Sequence, residues 1–185
     1  MAPACEWREA HLEAWRDAYR AFGAKPQRTP CSAEALLRRV QREGTLPRIN
    51  AIVDLYNALS VRYAVPIGGE DVAAYVGPPR LVRAAGDETF HTMRDGRPST
   101  ETVEPGEVIW RDDGDVTCRR WNWRQSPRTQ LTVGTTDMWF VLERLEPMPL
   151  SGLHDAGDAL VRALRQLAPD AVITASVMTR SATGT

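Results

Sequence analysis

Lysine is almost absent from this chain: Lys25 stands alone among 23 basic residues, the others being arginine. Alanine, glycine and proline are high together with arginine, so the bias reads as genome base composition rather than phosphate recognition. Histidine is also scarce. His11, His91 and His154 lie far apart, none in an H-x-x-x-H or H-E-x-x-H spacing, so no zinc or iron site is expected. Cys5, Cys31 and Cys118 are an odd, widely spaced set without a C-x-x-C pair, which excludes a disulfide framework or a zinc ribbon and fits a reducing cytoplasm. No 18 consecutive apolar residues occur, and residues 1–9 carry acids without an apolar core, so neither a membrane span nor a signal peptide is expected. Charge of one sign is lacking too: a net charge of -1 argues against a protein that coats nucleic acid indiscriminately, although a local basic face stays open. There is no G-x-S-x-G elbow, Walker loop or G-x-G-x-x-G after a strand, so the usual hydrolase, triphosphatase and dinucleotide fingerprints are missing and no cofactor is expected.

What is present is one α+β domain. With 185 residues, 43% hydrophobic, a single sizeable core needs no staples. Trp7, His11, Trp15, Ala18, Tyr19 and Phe22 recur at helical spacing up to Gly23. Ser32 reads as the cap of a second helix that carries Leu36, Leu37 and Val40 and stops at Gly44. A third helix holds Ile52, Val53, Leu55, Tyr56, Leu59 and Tyr63, and Pro66 forbids its continuation. From about Pro78 the period changes to two, which predicts strands over 81–85, 89–93, 108–111, 116–123, 130–133 and 138–145. Short turns between them favour a mixed or antiparallel sheet, or a partly closed barrel, with helices packed on it. A last helix with Ser151 as its cap carries Leu153, Leu160, Val161, Leu164 and Leu167. A final strand is expected over 171–178 and a frayed tail over 180–185.

Two segments carry candidate chemistry. The first, residues 116–136, contains no acid but holds Arg119, Arg120, Arg124 and Arg128 with Trp121, Asn122 and Trp123. A strand through Trp123 would put Arg119, Trp121 and Trp123 on one face, a surface suited to stack a base and meet a phosphate. Alternatively the tryptophans are core and the arginines cover them or pair with acids elsewhere. In the second, Asn50, Asp54 and Asn57 form a polar stripe on the third helix that must be paired or face a pocket. Asn50 and Asp54 can instead cap neighbouring loops. Gly68 and Gly69 let the backbone approach something closely, and Glu70, Asp71 and Glu88 are acids that can meet a cationic ligand or shape turns.

The run Ile49-Asn50-Ala51-Ile52-Val53-Asp54-Leu55-Tyr56-Asn57, followed by Pro66 and Asp71, resembles the I-N-x-V-V-D-x-T-N…Q-P-x-H-A-F-D signature of the B3/B4 domain, the editing domain in the β subunit of bacterial phenylalanyl-tRNA synthetase. With the segment Cys118-Arg-Arg-Trp-Asn-Trp-Arg-Gln125, the chain is similar to free-standing proteins built on this domain. The resemblance divides the chain into a helical N-terminal extension, 1–45, and the domain, 46–180, forming one compact unit. It also implies hydrolysis of the ester of a mischarged tRNA, in some solo members one carrying the arginine analogue canavanine. The editing-site asparagine falls on Asn57, the preceding threonine on Tyr56, the histidine of P-x-H on Gly68, and by a looser alignment a later glutamate near Gln130.

The expectation is therefore a trans-editing deacylase. Asn57 would orient water or the ester, and N–H groups near Gly68 and Gly69 would stabilise an oxyanion. Tyr56, Asn50, Glu70, Asp71, Glu88 and Gln130 would surround the amino acid moiety. Arg119, Arg120, Trp121, Asn122, Trp123, Arg124 and Arg128 would bind the acceptor end of aminoacylated tRNA. No DNA or membrane partner is expected. A non-catalytic module binding tRNA ends or an amino acid, and a small-molecule enzyme reusing the pocket, are the alternatives.

Overall fold

The computed structural model describes residues 5–179. Four helices, α1 (Arg8–Ala21), α2 (Ser32–Glu43), α3 (Ala51–Tyr63) and α4 (Leu150–Leu167), surround short strands that pair only antiparallel. The strands are β1 (Ile67–Asp71), β2 (Arg80–Arg83), β3 (Thr89–Arg94), β4 (Arg97–Thr102), β5 (Val108–Arg111), β6 (Val116–Arg119), β7 (Arg124–Gln125) and β8 (Met138–Leu142). They form a β1–β8 pair, a β2–β5–β6–β7 sheet and a β3–β4 hairpin, an α+β arrangement without a closed barrel among the described residues. None of these helices is long and apolar enough to cross a membrane.

The helices follow the apolar spacing. His11, Leu12, Trp15 and Tyr19 are the buried stripe of α1, which packs on α2 through Cys31, Ala33 and Leu37. His11 is completely buried: its Nδ1 faces the Ala64 carbonyl at 2.8 Å, while Nε2 accepts from Trp15 Nε1 at 3.0 Å and from the Leu145 amide at 3.1 Å. Burial holds its pKa below the ordinary value. It is a neutral cross-link between α1 and the rest of the chain. Asn50 caps α3, its side chain accepting from the Val53 amide at 2.9 Å, and Asp54 accepts from the Ile49 amide at 2.8 Å. Both therefore close the helix entrance, the alternative the spacing left open. α3 and α4 then pack on the β1–β8 pair through Val53, Tyr56, Leu59, Ile67, Leu160 and Leu164.

Several local expectations need correction. Cys31, not Ser32, is the cap residue of α2, and Pro149, not Ser151, precedes α4. Gly44 does end α2, in the left-handed conformation at φ 74°. The predicted strand over 130–133 shrinks to one bridge between Gln130 and Glu70, and residues 171–178 form no strand and are largely exposed. The tail over 180–185 lies outside the described residues. β1 went unpredicted because its Gly68-Gly69 pair lacks β-propensity. A Cβ at Gly69 would sit 2.9 Å from Leu131 Cδ1 and from Tyr56 Cε1, so close approach of α3 demands this glycine. Most consequential is the strand predicted over 116–123. It stops at Arg119, because Arg120 and Trp121 take left-handed φ values of 46° and 66°. The face shared by Arg119, Trp121 and Trp123 therefore does not exist.

Candidate functional site

The β1–β8 ladder is the floor of a cavity of about 180 Å³. Gly68 pairs with Val141 and Glu70 with Trp139, so these four positions share one face. Glu143, one alternation beyond Val141, donates its amide to the Pro66 carbonyl at 3.1 Å and continues that face. Trp110, Trp121, Trp123 and Trp139 line the cavity, with Tyr56 and Asn57 from α3 and Ser32 from the start of α2. Gly68 opens the floor, because nothing lies within 4 Å of where its Cβ would stand.

The charge inside is one-sided. Glu70 and Glu143 line the cavity, and among the described residues no arginine, lysine or histidine does. Glu70 is 7% exposed; its Oε1 accepts from Gln125 Nε2 at 3.1 Å and Thr129 Oγ1 at 3.2 Å, which leaves Oε2 for a guest. Burial raises its pKa to about 7 against those two bonds. Burial raises Glu143 to about 7 as well, against hydrogen bonds from Asn122, Trp121 and Trp110. The Cys118 thiol is pushed far up by burial, so it is a poor nucleophile. Tyr56 is pushed up to about 12 by burial and by Glu70, and stays a phenol. Among the described residues no cluster of three or more His, Cys, Asp or Glu side chains is placed to hold a metal ion. A cavity walled by indoles, with buried carboxyl groups and no cation among the described residues that line it, is chemically suited to a cationic guest.

Of the predicted site residues, Tyr56, Asn57, Gly68, Glu70, Trp121, Asn122 and Trp123 meet around this cavity. Gly69 faces the core instead. Asn50 caps α3 and donates to the Leu131 carbonyl at 3.3 Å. Asp71 caps the turn at Val72–Ala74 and accepts from Thr135 at 2.7 Å. Glu88 receives the amides of Ala85 and Gly86, both at 2.9 Å, beside a separate concavity near Arg111. Gln130 bridges to Glu70 by backbone alone.

The arginines divide. Arg119, 4% exposed, is locked onto Glu107 by bonds of 2.9 and 2.7 Å and onto Glu101 at 2.7 Å. Arg128 grips Asp112 at 2.8 and 2.9 Å and donates to the Ala74 carbonyl at 2.7 Å. Burial works against ionisation of Asp112, yet Arg128 and three backbone amides hold its pKa well below the usual carboxylate range. Both arginines are ion-paired, Arg119 buried and Arg128 partly so, which is the alternative of pairing with acids elsewhere that the spacing left open. Arg120 and Arg124 lie 4.6 and 4.3 Å from the Trp123 ring centre, at the edge of the cavity.

Sequence reading missed Glu143, Trp110, Trp139, Gln125, Cys118 and Ser32. The available signal was Glu143 itself, an acid at the end of the apolar run Met138-Trp-Phe-Val-Leu-Glu143 and in phase with Trp139 and Val141. The geometry makes a simple forecast: Gly68→Val should keep the melting temperature within about 2 °C, since the added atoms enter open space. It should weaken any cavity guest by about tenfold or more, because the side chain fills guest volume. Thermal melting and calorimetric titration check the two halves.

Compared with known protein families, residues 14–179 match the family model described as B3/4 domain. No curated protein matches the chain. The match begins within α1 and so takes in α2 and Ser32 as well as the floor and the walls. The chain belongs to the B3/4 domain family.

Proposed function

We propose that this protein is a trans-editing aminoacyl-tRNA deacylase that hydrolyses the ester of a tRNA mischarged with a cationic amino acid, an arginine analogue such as canavanine. The observation that carries the reading is the indole-walled cavity holding Glu70 and Glu143 and, among the described residues, no basic side chain. Glu70 Oε2 receives the side-chain cation, which stacks between indoles as it sheds water. Asn57, 8% exposed and on the cavity wall, orients the ester or the attacking water. The open backbone at Gly68 is the surface a developing oxyanion meets. An aminoacyl ester is already activated, so positioning of water and ribose hydroxyls replaces a nucleophile. Arg124, whose side chain is 43% exposed, and Arg120 take the phosphates of the acceptor end, while Arg119 and Arg128 maintain the scaffold.

The test is incubation with tRNAs charged with correct and incorrect amino acids, canavanine included. Release of a cationic amino acid, slowed about a hundredfold by Asn57→Ala, is the expected result. One observation favours a second reading, a binding module without catalysis: the family signature's histidine position is Gly68, and the cavity lining supplies no activated nucleophile. Charged tRNAs that all survive yet bind, with affinity falling steeply as salt rises, would decide for that module.

A further inference from the structure

Glu143 has both carboxylate oxygens directed at the site wall. Its Oε1 accepts from Trp121 Nε1 at 2.8 Å and Trp110 Nε1 at 3.1 Å, and its Oε2 accepts from Asn122 Nδ2 at 2.8 Å. Asn122 is fixed in turn. Its Oδ1 accepts from the Tyr19 hydroxyl of α1 at 2.9 Å and from the Ser32 amide at the start of α2 at 3.3 Å. An amide proton can only donate, so the Ser32 contact settles which end of the Asn122 amide is oxygen. The chain passes through this network at Arg120 and Trp121, the two residues in left-handed conformation, so the turn depends on the bonds that hold it. The same turn sets Trp121 edge-on to Trp15 of α1, ring centres 5.0 Å apart.

We propose that Glu143 is a positioning residue, the anchor that holds the Arg120–Trp121–Asn122 turn in the shape of the cavity wall and makes that wall depend on α1 and α2. It contributes no contact to the guest. It acts by presenting two acceptor oxygens to three donors from β5 and the turn, and a carboxylate is the side-chain group at this length that can do so. Glutamine cannot: its amide nitrogen would face either the two indole N–H groups or the Asn122 amide nitrogen, donor against donor. If Asn122 rotates to accept from the glutamine nitrogen, its own nitrogen turns toward the Ser32 amide, which loses its acceptor. The polarity can be restored by moving the charge. In Glu143→Gln with Asn122→Asp, the carboxylate introduced on the turn accepts from the glutamine nitrogen, Tyr19 and Ser32, while the glutamine oxygen keeps both indoles.

The experiment compares wild type, Glu143→Gln, Asn122→Asp and the double variant by hydrogen exchange at the Ser32 amide and by calorimetric binding of L-arginine methyl ester. The binding arm rests on the cavity being a cation site; the exchange arm does not. Expected is faster Ser32 exchange by tenfold or more in Glu143→Gln, and ester binding weakened at least tenfold in each single variant, since Asn122→Asp sets carboxylate against carboxylate, with both readouts returning to within threefold of wild type in the double. Such rescue is a coupling that a residue acting by bulk packing would not give. Should the single variants fail to fold, a folded double variant with a protected Ser32 amide supports the proposal, and an unfolded one overturns it. A single Glu143→Gln that retains Ser32 protection, or a double no better than the singles, overturns it as well. If the wild type ignores the ester while the exchange pattern holds, the cation reading fails and the anchor stands.

Discussion

Glu70→Gln is expected to weaken binding of L-arginine methyl ester by about 10- to 100-fold, the range a charge-assisted hydrogen bond supports. The citrulline ester, which has the same shape without the charge, should lose far less. The argument lies in the surroundings. Glu70 is nearly buried, its two protein donors both fall on Oε1, and among the described residues no cation lines the cavity to neutralise it. Its pKa, raised to about 7 from the usual carboxylate range, gives the sign of two pH effects. The folded protein holds a proton on Glu70 that the unfolded chain releases at lower pH, so this group's contribution to stability falls as pH rises from about 4.5 to about 7. Cation binding runs the other way. It needs the carboxylate, so affinity should climb as pH rises to about 7 and level off above it. Glu143 titrates in the same range, so the diagnostic is the difference between the wild-type and Glu70→Gln profiles. The variant should also melt higher than wild type at pH 8, because the amide removes a carboxylate forced to ionise in a dry place; function would then be held at a cost to stability. Equal losses for the arginine and citrulline esters, or wild-type affinity in the variant, would show that Glu70 does not read charge.

Much of this architecture was legible because helices announce themselves through period. The α1 stripe, the Asn50 cap and the αL glycine at Gly44 are local choices that packing merely confirms. Asn57 and Glu70 were legible through the family signature and the neighbouring acids. What stayed hidden depends on long-range pairing. Nothing local shows that Gly69 must admit Tyr56, yet that closeness turns a loop-like Gly-Gly into the floor strand. Nor does β-propensity reveal that Arg120 and Trp121 leave the strand, since the acceptor holding Trp121 belongs to Glu143, 22 residues further along the sequence. The arginine-tryptophan alternation left two readings open, a stacking face or arginines paired with acids elsewhere. Glu101, Glu107 and Asp112, acids outside that segment, pair with Arg119 and Arg128, and the aromatic rings line the cavity.

Arg119→Ala should accordingly be a stability defect before it is anything else. Arg119 makes a two-pronged pair with Glu107, which is 3% exposed and also accepts from the Arg120 amide at 3.0 Å. Removing Arg119 leaves the buried Glu107 carboxylate with only the looser Arg120 pair at 3.6 Å, at a cost of about 3 kcal/mol, the lower end for breaking a buried pair. For a domain of this size that lowers the melting temperature by roughly 10 °C. Arg124→Ala is the control. Its pairing with Glu101 at 3.5 Å is partly exposed, so its removal should cost below about 1 kcal/mol while weakening tRNA binding and reducing the salt dependence of that binding. The double variant Arg119→Met with Glu107→Leu should recover part of the loss, since an apolar pair can replace a buried ion pair of similar volume while the Arg120 amide loses its Glu107 acceptor. Calorimetric melting and tRNA titration at two salt concentrations separate the roles. An Arg119→Ala protein that melts like wild type but no longer binds tRNA would make this arginine a phosphate contact, and would require the Glu107 pair to open in solution.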